Sequence, residues 1–216
     1  MARSKVRKPT LVLLVRHGTT STTGQVLPGR AKGLHLADDG VAQAERAAER
    51  IAVLGTKKVH AVYSSPLERT RETAALIAKA LGQRVRTNRG LIEADFGQWT
   101  GRKLNELSKL AEWKQVQQYP SGFTFPEGES FSQMQERMCR TLRALVADHA
   151  GQTIVAVSHA DPIKAAIADA MGTHLDLFQR IVVGPCSISP VLYGPAGPVV
   201  LSVNSMGDDL RQLVPS

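Results

Sequence analysis

Apolar residues run without a break from Leu11 to Val15 and stop at Arg16. Such a run suits a strand covered on both faces, because a strand with one wet face alternates apolar and polar positions. The pattern returns at Thr153 to Val157, closed by Ser158 and His159, with further extended stretches at Val59 to Tyr63 and Val85 to Thr87. Between these runs the apolar spacing changes to three and four. Val41, Ala44, Ala47, Ile51 and Leu54 share one helical face, with Asp38 or Asp39 placed to cap it. Leu67, Thr70, Ala74, Ile77 and Leu81 share another, behind a predicted capping box of Ser65 and Glu68 with Pro66 at the first helical position. Met134, Met138, Leu142 and Leu145 form a third stripe with Ser130 as its cap, and Asp161 with Pro162 opens a fourth helix running to Gly172. Two extended segments, near Ser187 to Leu192 and Val199 to Val203, complete the pattern.

Strands alternating with helices predict an α/β fold whose mainly parallel sheet carries helices on both faces. Residues 10–216 read as one domain behind a basic, flexible tail of residues 1–9 that holds Arg3, Lys5, Arg7 and Lys8. Residues 90–101 are a glycine-punctuated loop. Residues 102–128, polar and then broken by glycine and proline, are the expected cover over a site.

The net charge is 27 − 19 = +8, which admits nucleic acid, an anionic membrane or an anionic small molecule as partner. Ten aromatic residues, 2 Trp, 3 Tyr and 5 Phe, are spread along the whole chain and form no basic stripe with stacking platforms, so no nucleic acid is expected. The run ending at Val15 is too short for a membrane span or a secretory signal, which predicts a cytoplasmic protein without a membrane partner. Cys139 and Cys186 have no metal-binding spacing and read as reduced and packed. No metal site is predicted.

Gly24 to Ala31 misses the phosphate-binding P-loop, because Arg30 and Ala31 stand where Lys and then Ser or Thr are needed. No Gly-x-Ser-x-Gly elbow and no His-Glu-x-x-His is present. The informative positions are strand ends. Ligands of open α/β sheets sit beyond the carboxyl ends of the strands, and two buried strands run straight into Arg16-His17-Gly18 and Ser158-His159. Arg69 falls in the first turn of a helix, where a cation opposes the macrodipole and a bound anion would compensate it.

RHG at residues 16–18, SSPLERTRETA from Ser64, LIEADFGQWTG from Leu91, FPEGES from Phe125 and VSHADPIKAAIADAMG from Val157 occur in that order. Together they resemble the histidine phosphatases of the phosphoglycerate mutase-like superfamily, closest to a bacterial branch of small phosphatase-like proteins bearing HADPIK. The resemblance implies a three-layer α/β/α sandwich, a phosphohistidine intermediate, and neither metal nor cofactor. It makes His17 the nucleophile and Glu93 the proton donor, with Asp161 as second choice, and sets Arg16, Arg69 and His159 around the phosphate. Gly18, Thr23, Arg30 and Ala160 are the further phosphate or substrate contacts expected. The family often has Glu or Gln after RHG, Asn six positions past the histidine, and Gly-Gly after the second histidine, where this chain has Thr19, Thr23, Ala160 and Asp161.

The reading that follows is a phosphatase acting on a small phosphorylated metabolite. The alternatives are a phosphomutase, which returns phosphate to a second hydroxyl, and a phospholigand-binding protein with little turnover. Arg30, Lys32, Arg102 and Lys103 suggest further negative charge on the substrate. A homodimer is compatible with the sequence but not specified by it.

Overall fold

A computed structural model describes residues 8–207. The predicted tail therefore lies outside the described residues, apart from exposed Lys8 and Pro9. The first apolar run is β1 (Thr10–Arg16), followed by α1 (Asp38–Ala52), β2 (Val59–Ser64), α2 (Glu68–Ala80) and β3 (Val85–Thr87). Then come α3 (Leu104–Leu107), α4 (Ala111–Gln118), α5 (Phe131–Asp148), β4 (Thr153–Ser158), α6 (Ala160–Ala170), β5 (Ile188–Gly194) and β6 (Gly197–Val200).

The strands form one sheet in the order β3-β2-β4-β1-β5-β6. The first four run parallel, β5 is antiparallel to β1, and β6 is antiparallel to β5. β1 sits inside the sheet and is covered on both faces, which is why its sequence does not alternate. Leu11, Leu13 and Val15 pack against Ile51 of α1 and Ala74 and Ile77 of α2. Val12 and Leu14 point the other way, onto Met138 and Leu142 of α5 and Ile163 and Ile167 of α6. Burying each such Leu, Ile, Met or Val fully contributes about 1.5–3 kcal/mol. The product is a three-layer α/β/α sandwich.

A separate aromatic cluster organises the segment between β3 and α5. Phe96, Trp99, Phe123, Phe125 and Phe131 pack with Leu107, Val116 and Met134, and the Phe96–Phe125 and Phe123–Phe125 ring centroids lie 4.8 and 5.0 Å apart. This cluster anchors residues 102–128. Backbone bonds from Leu27 N to Arg102 O and from Gly101 N to Leu27 O then stitch the loop around residue 27 to that segment.

Three caps differ from expectation. α5 has Ser130 as its cap, as expected, and Gln133 bonds back to it to complete a capping box. α1, however, starts at Asp38 behind Ala37, so Asp38 and Asp39 lie in the first turn and not at the cap position; there they meet the positive end of the helix, and Asp39 Oδ1 accepts from Gly40 N. α2 starts at Glu68 behind Leu67 with no side-chain cap, so Ser65 lies two residues ahead of the cap position, where its hydroxyl meets His159 Nε2 and Leu67 N. Asp161 does not cap α6 either. It sits inside the first turn and pairs with Lys164 at 3.3 Å. Among the described residues no helix is long and apolar enough to cross a membrane.

Candidate active site

Parallel register brings the two histidines together. Arg16 of β1 lies opposite Ser158 of β4, and His17 N donates to Ser158 O, so His17 and His159 leave neighbouring strands at one level. Their ring centroids are 5.2 Å apart and both rings are buried. His17 Nδ1 lies 2.7 Å from Gly18 O, and a carbonyl only accepts, so Nδ1 carries the proton and Nε2 presents its lone pair. Burial first, then the charge of Arg69, lowers the His17 pKa to about 3. The ring is therefore neutral at pH 7. The Ser65 hydroxyl is 2.8 Å from His159 Nε2 and accepts from Leu67 N; in the tautomer in which Ser65 donates to Nε2, the His159 proton sits on Nδ1.

Arg69, fully buried, donates from Nη2 to Gly29 O and from Nε to His17 Nε2 at 3.3 Å. Arg16 donates from Nη1 to Val183 O. What remains is unusual for a protein interior. Arg16 Nε, Arg69 Nη1 and His159 Nδ1 are buried without any hydrogen-bond partner. Each such group costs about 1–3 kcal/mol, and buried polar groups are nearly always paired, so clustered orphan donors mark a place where an anion completes the structure. The uncapped N-terminus of α6, beginning at Ala160, adds backbone donors to the same corner.

Glu93 faces this corner from the loop after β3. Its Oε1 accepts from Ala94 N, and its Oε2 is 3.9 Å from His159 Nδ1, too far for a hydrogen bond. Burial, reinforced by the Asp161 carboxylate, raises the Glu93 pKa to about 7 against the opposing pull of Ala94 N–H, Arg69 and Arg16. Arg16 and Glu93 open onto a cleft of about 380 Å³ that Thr23, Ala160 and Asp161 also line.

The histidine phosphatase superfamily (branch 1) model matches residues 12–206. The chain belongs to this superfamily. A bifunctional protein of Mycobacterium tuberculosis is 31% identical over 205 residues, 92% of this chain but 55% of that protein, so the chain spans about half the length of that relative. The probable phosphoglycerate mutase GpmB of Klebsiella pneumoniae is 32% identical over 185 residues, 84% of either chain. The structure of a phosphoserine phosphatase from Entamoeba histolytica in complex with phosphoserine superposes with a TM-score of 0.82, at 28% identity, covering 91% of this chain and 98% of that one. The superfamily thus joins phosphatase and mutase-like relatives on this fold.

Not every residue expected to meet phosphate in this member of the superfamily reaches the corner. Arg30 is turned away: its guanidinium donates to Glu93 O, Asp95 Oδ2 and Glu129 Oε2, and so ties down the loop that carries Glu93. The Gly18 amide is also spent, on Thr73 Oγ1. Glycine is needed there for another reason, since a Cβ would sit 2.4 Å from Gly40 O at the start of α1. Thr23 lines the cleft while its hydroxyl accepts from Thr20 N, and Thr19 donates twice to Gln43 Oε1. Three functional contributors escaped the motif reading. Ser65 orients His159, and Glu129 with Arg137 braces the Glu93 loop through bonds from Arg137 to the carbonyls of Gly90, Ile92 and Glu93. The Gly-Glu-Ser of FPEGES was the available signal for Glu129. Nothing local distinguishes Arg137 on a polar helix face.

Proposed function

We propose that this member of the superfamily is a metal-independent phosphomonoesterase that works through phospho-His17. The observation that carries the proposal is the set of orphan donors, Arg16 Nε, Arg69 Nη1 and His159 Nδ1, gathered beside the neutral His17 ring. A phosphate dianion entering there takes these donors and draws Arg69 Nε away from His17 Nε2. The freed lone pair attacks phosphorus in line as the ester P–O bond breaks, and Glu93, protonated near neutrality, gives its proton to the departing alkoxide. Charge building on the phosphoryl oxygens meets fixed donors in a water-poor corner, which is the larger part of catalysis in such transfers. Water then attacks the phosphohistidine, the Glu93 carboxylate takes its proton, and the N–P bond breaks to release orthophosphate and neutral His17. The phosphoserine phosphatase relative favours hydrolysis of a small phosphorylated metabolite.

The similarity to GpmB favours a second reading, in which a hydroxyl replaces water in the second step. One experiment separates them. The purified chain is given 4-nitrophenyl phosphate, and nitrophenol and orthophosphate are both counted. Equal release, abolished in a folded His17→Ala variant, is the expected result. Unchanged turnover in that variant overturns the phospho-His17 pathway, and nitrophenol released without orthophosphate in the presence of a polyol acceptor supports the transferase.

A further inference from the structure

The cleft above the phosphate corner describes the rest of the ester. Because Glu93 must protonate the leaving oxygen, the organic body of the substrate lies between Glu93 and the outer walls. Those walls are mainly apolar. Val26, Leu27 and Pro28, Phe96 and Leu104, and residues 181–183 all contribute to them. Val182 lines this cleft with 65% of its surface exposed, so it is open to an incoming substrate. A volume of about 380 Å³ is within the range of small-molecule sites and leaves room for a ring beyond the phosphate.

Charge narrows the class further. Arg30, Lys32, Arg102 and Lys103, the cations that suggested a second anionic group on the substrate, are all absent from the lining. Beyond Arg16, the one cation among the described lining residues is Lys164, whose ammonium is held by Asp161 at 3.3 Å and Gln179 at 3.1 Å. A carboxylate on the substrate would find that ammonium already paired and would face Asp161. Resting on the phosphate-ester reading above, we infer that the cleft selects monoesters with an uncharged, apolar body, aryl or branched alkyl phosphates, over phosphoesters that carry a carboxylate.

Binding of two non-hydrolysable phosphonates tests this without relying on turnover. Benzylphosphonate and 3-phosphonopropionate share the phosphonate and differ in a phenyl ring against a carboxylate. Titration calorimetry on the full chain is expected to give benzylphosphonate a Kd at least about tenfold lower, the result of a phenyl ring partly buried on the apolar wall. Val182→Ser, at an exposed lining position, is expected to weaken benzylphosphonate about threefold and leave orthophosphate unchanged. Equal affinities, tighter 3-phosphonopropionate, or an unaltered benzylphosphonate Kd in Val182→Ser overturns the inference. Failure to hydrolyse 4-nitrophenyl phosphate would instead remove the hydrolase reading and leave this affinity ratio measurable.

Discussion

The phosphate corner and the loop that carries Glu93 are both built on pairs of arginines, used in opposite ways. In the corner, Arg16 and Arg69 each keep one buried nitrogen without a partner. In the loop, Arg30 and Arg137 place every guanidinium nitrogen on a carbonyl or carboxylate, with Glu129 bridging the two. A guanidinium left short of acceptors is prepared for a ligand. A saturated one fixes backbone, and here it fixes the backbone that carries Glu93.

Substitutions sharpen this contrast, and the largest effect belongs to the corner. Arg69→Gln is expected to lower kcat/KM about 10²–10³-fold, the usual cost of removing a preorganised donor to a developing oxyanion. It should also remove the stabilisation that orthophosphate gives in a melting experiment, and raise the His17 pKa, because the neighbouring cation that holds it down is gone. Arg137→Leu should instead lower kcat about 10–100-fold through misplacement of Glu93 while orthophosphate affinity survives. Loosening this loop also admits water to Glu93 and moves its pKa back toward the ordinary carboxylate range. A variant at Arg137 that loses phosphate affinity but keeps its pH profile breaks the comparison.

The pH dependence is the next effect in size. Glu93, raised to about 7, serves as acid only below that value, so kcat/KM for an alkyl phosphate should fall about tenfold per pH unit above it, and should also fall below about pH 6 as the substrate dianion takes up a proton. With His17 lowered to about 3, its protonation adds no acid limb at moderately acidic pH. 4-Nitrophenyl phosphate, whose leaving group needs little protonation, should show a much shallower fall. The smallest effect lies outside both regions. Ser130→Ala removes the α5 cap and should cost about 1 kcal/mol of stability in urea unfolding with kcat unchanged.

Much of the corner was readable from the chain because it depends on strand ends. An apolar run that stops at Arg16-His17, and another that stops at Ser158-His159, need only parallel pairing to bring the imidazoles together. Arg69 was legible for a related reason, as a cation placed against the positive end of a helix. The loop was less legible, since Arg30 and Arg69 look alike until their acceptors are known. Asp95 and Glu129, 65 and 99 residues further along, capture one of them, while the other reaches only Gly29 O and His17. Local cap signals failed where the helix began at another residue and the side chain found a different partner: Ser65 meets His159 from another strand end, and Asp161 meets Lys164 one turn along its own helix. The apolar wall at residues 181–183 follows α6 without regular structure of its own, and no periodicity announces it.

The most direct test is to trap the phosphoenzyme. Glu93→Gln lacks the carboxylate that activates water, yet 4-nitrophenolate leaves without an acid, so this variant should accumulate phosphoenzyme from 4-nitrophenyl phosphate. Rapid quenching at alkaline pH followed by phosphorus NMR and peptide mapping should find about one phosphoryl group per chain, on Nε2 of His17, the stoichiometry a covalent intermediate requires. A burst of nitrophenol with no phosphohistidine, or with the phosphoryl group on another residue, would contradict the account.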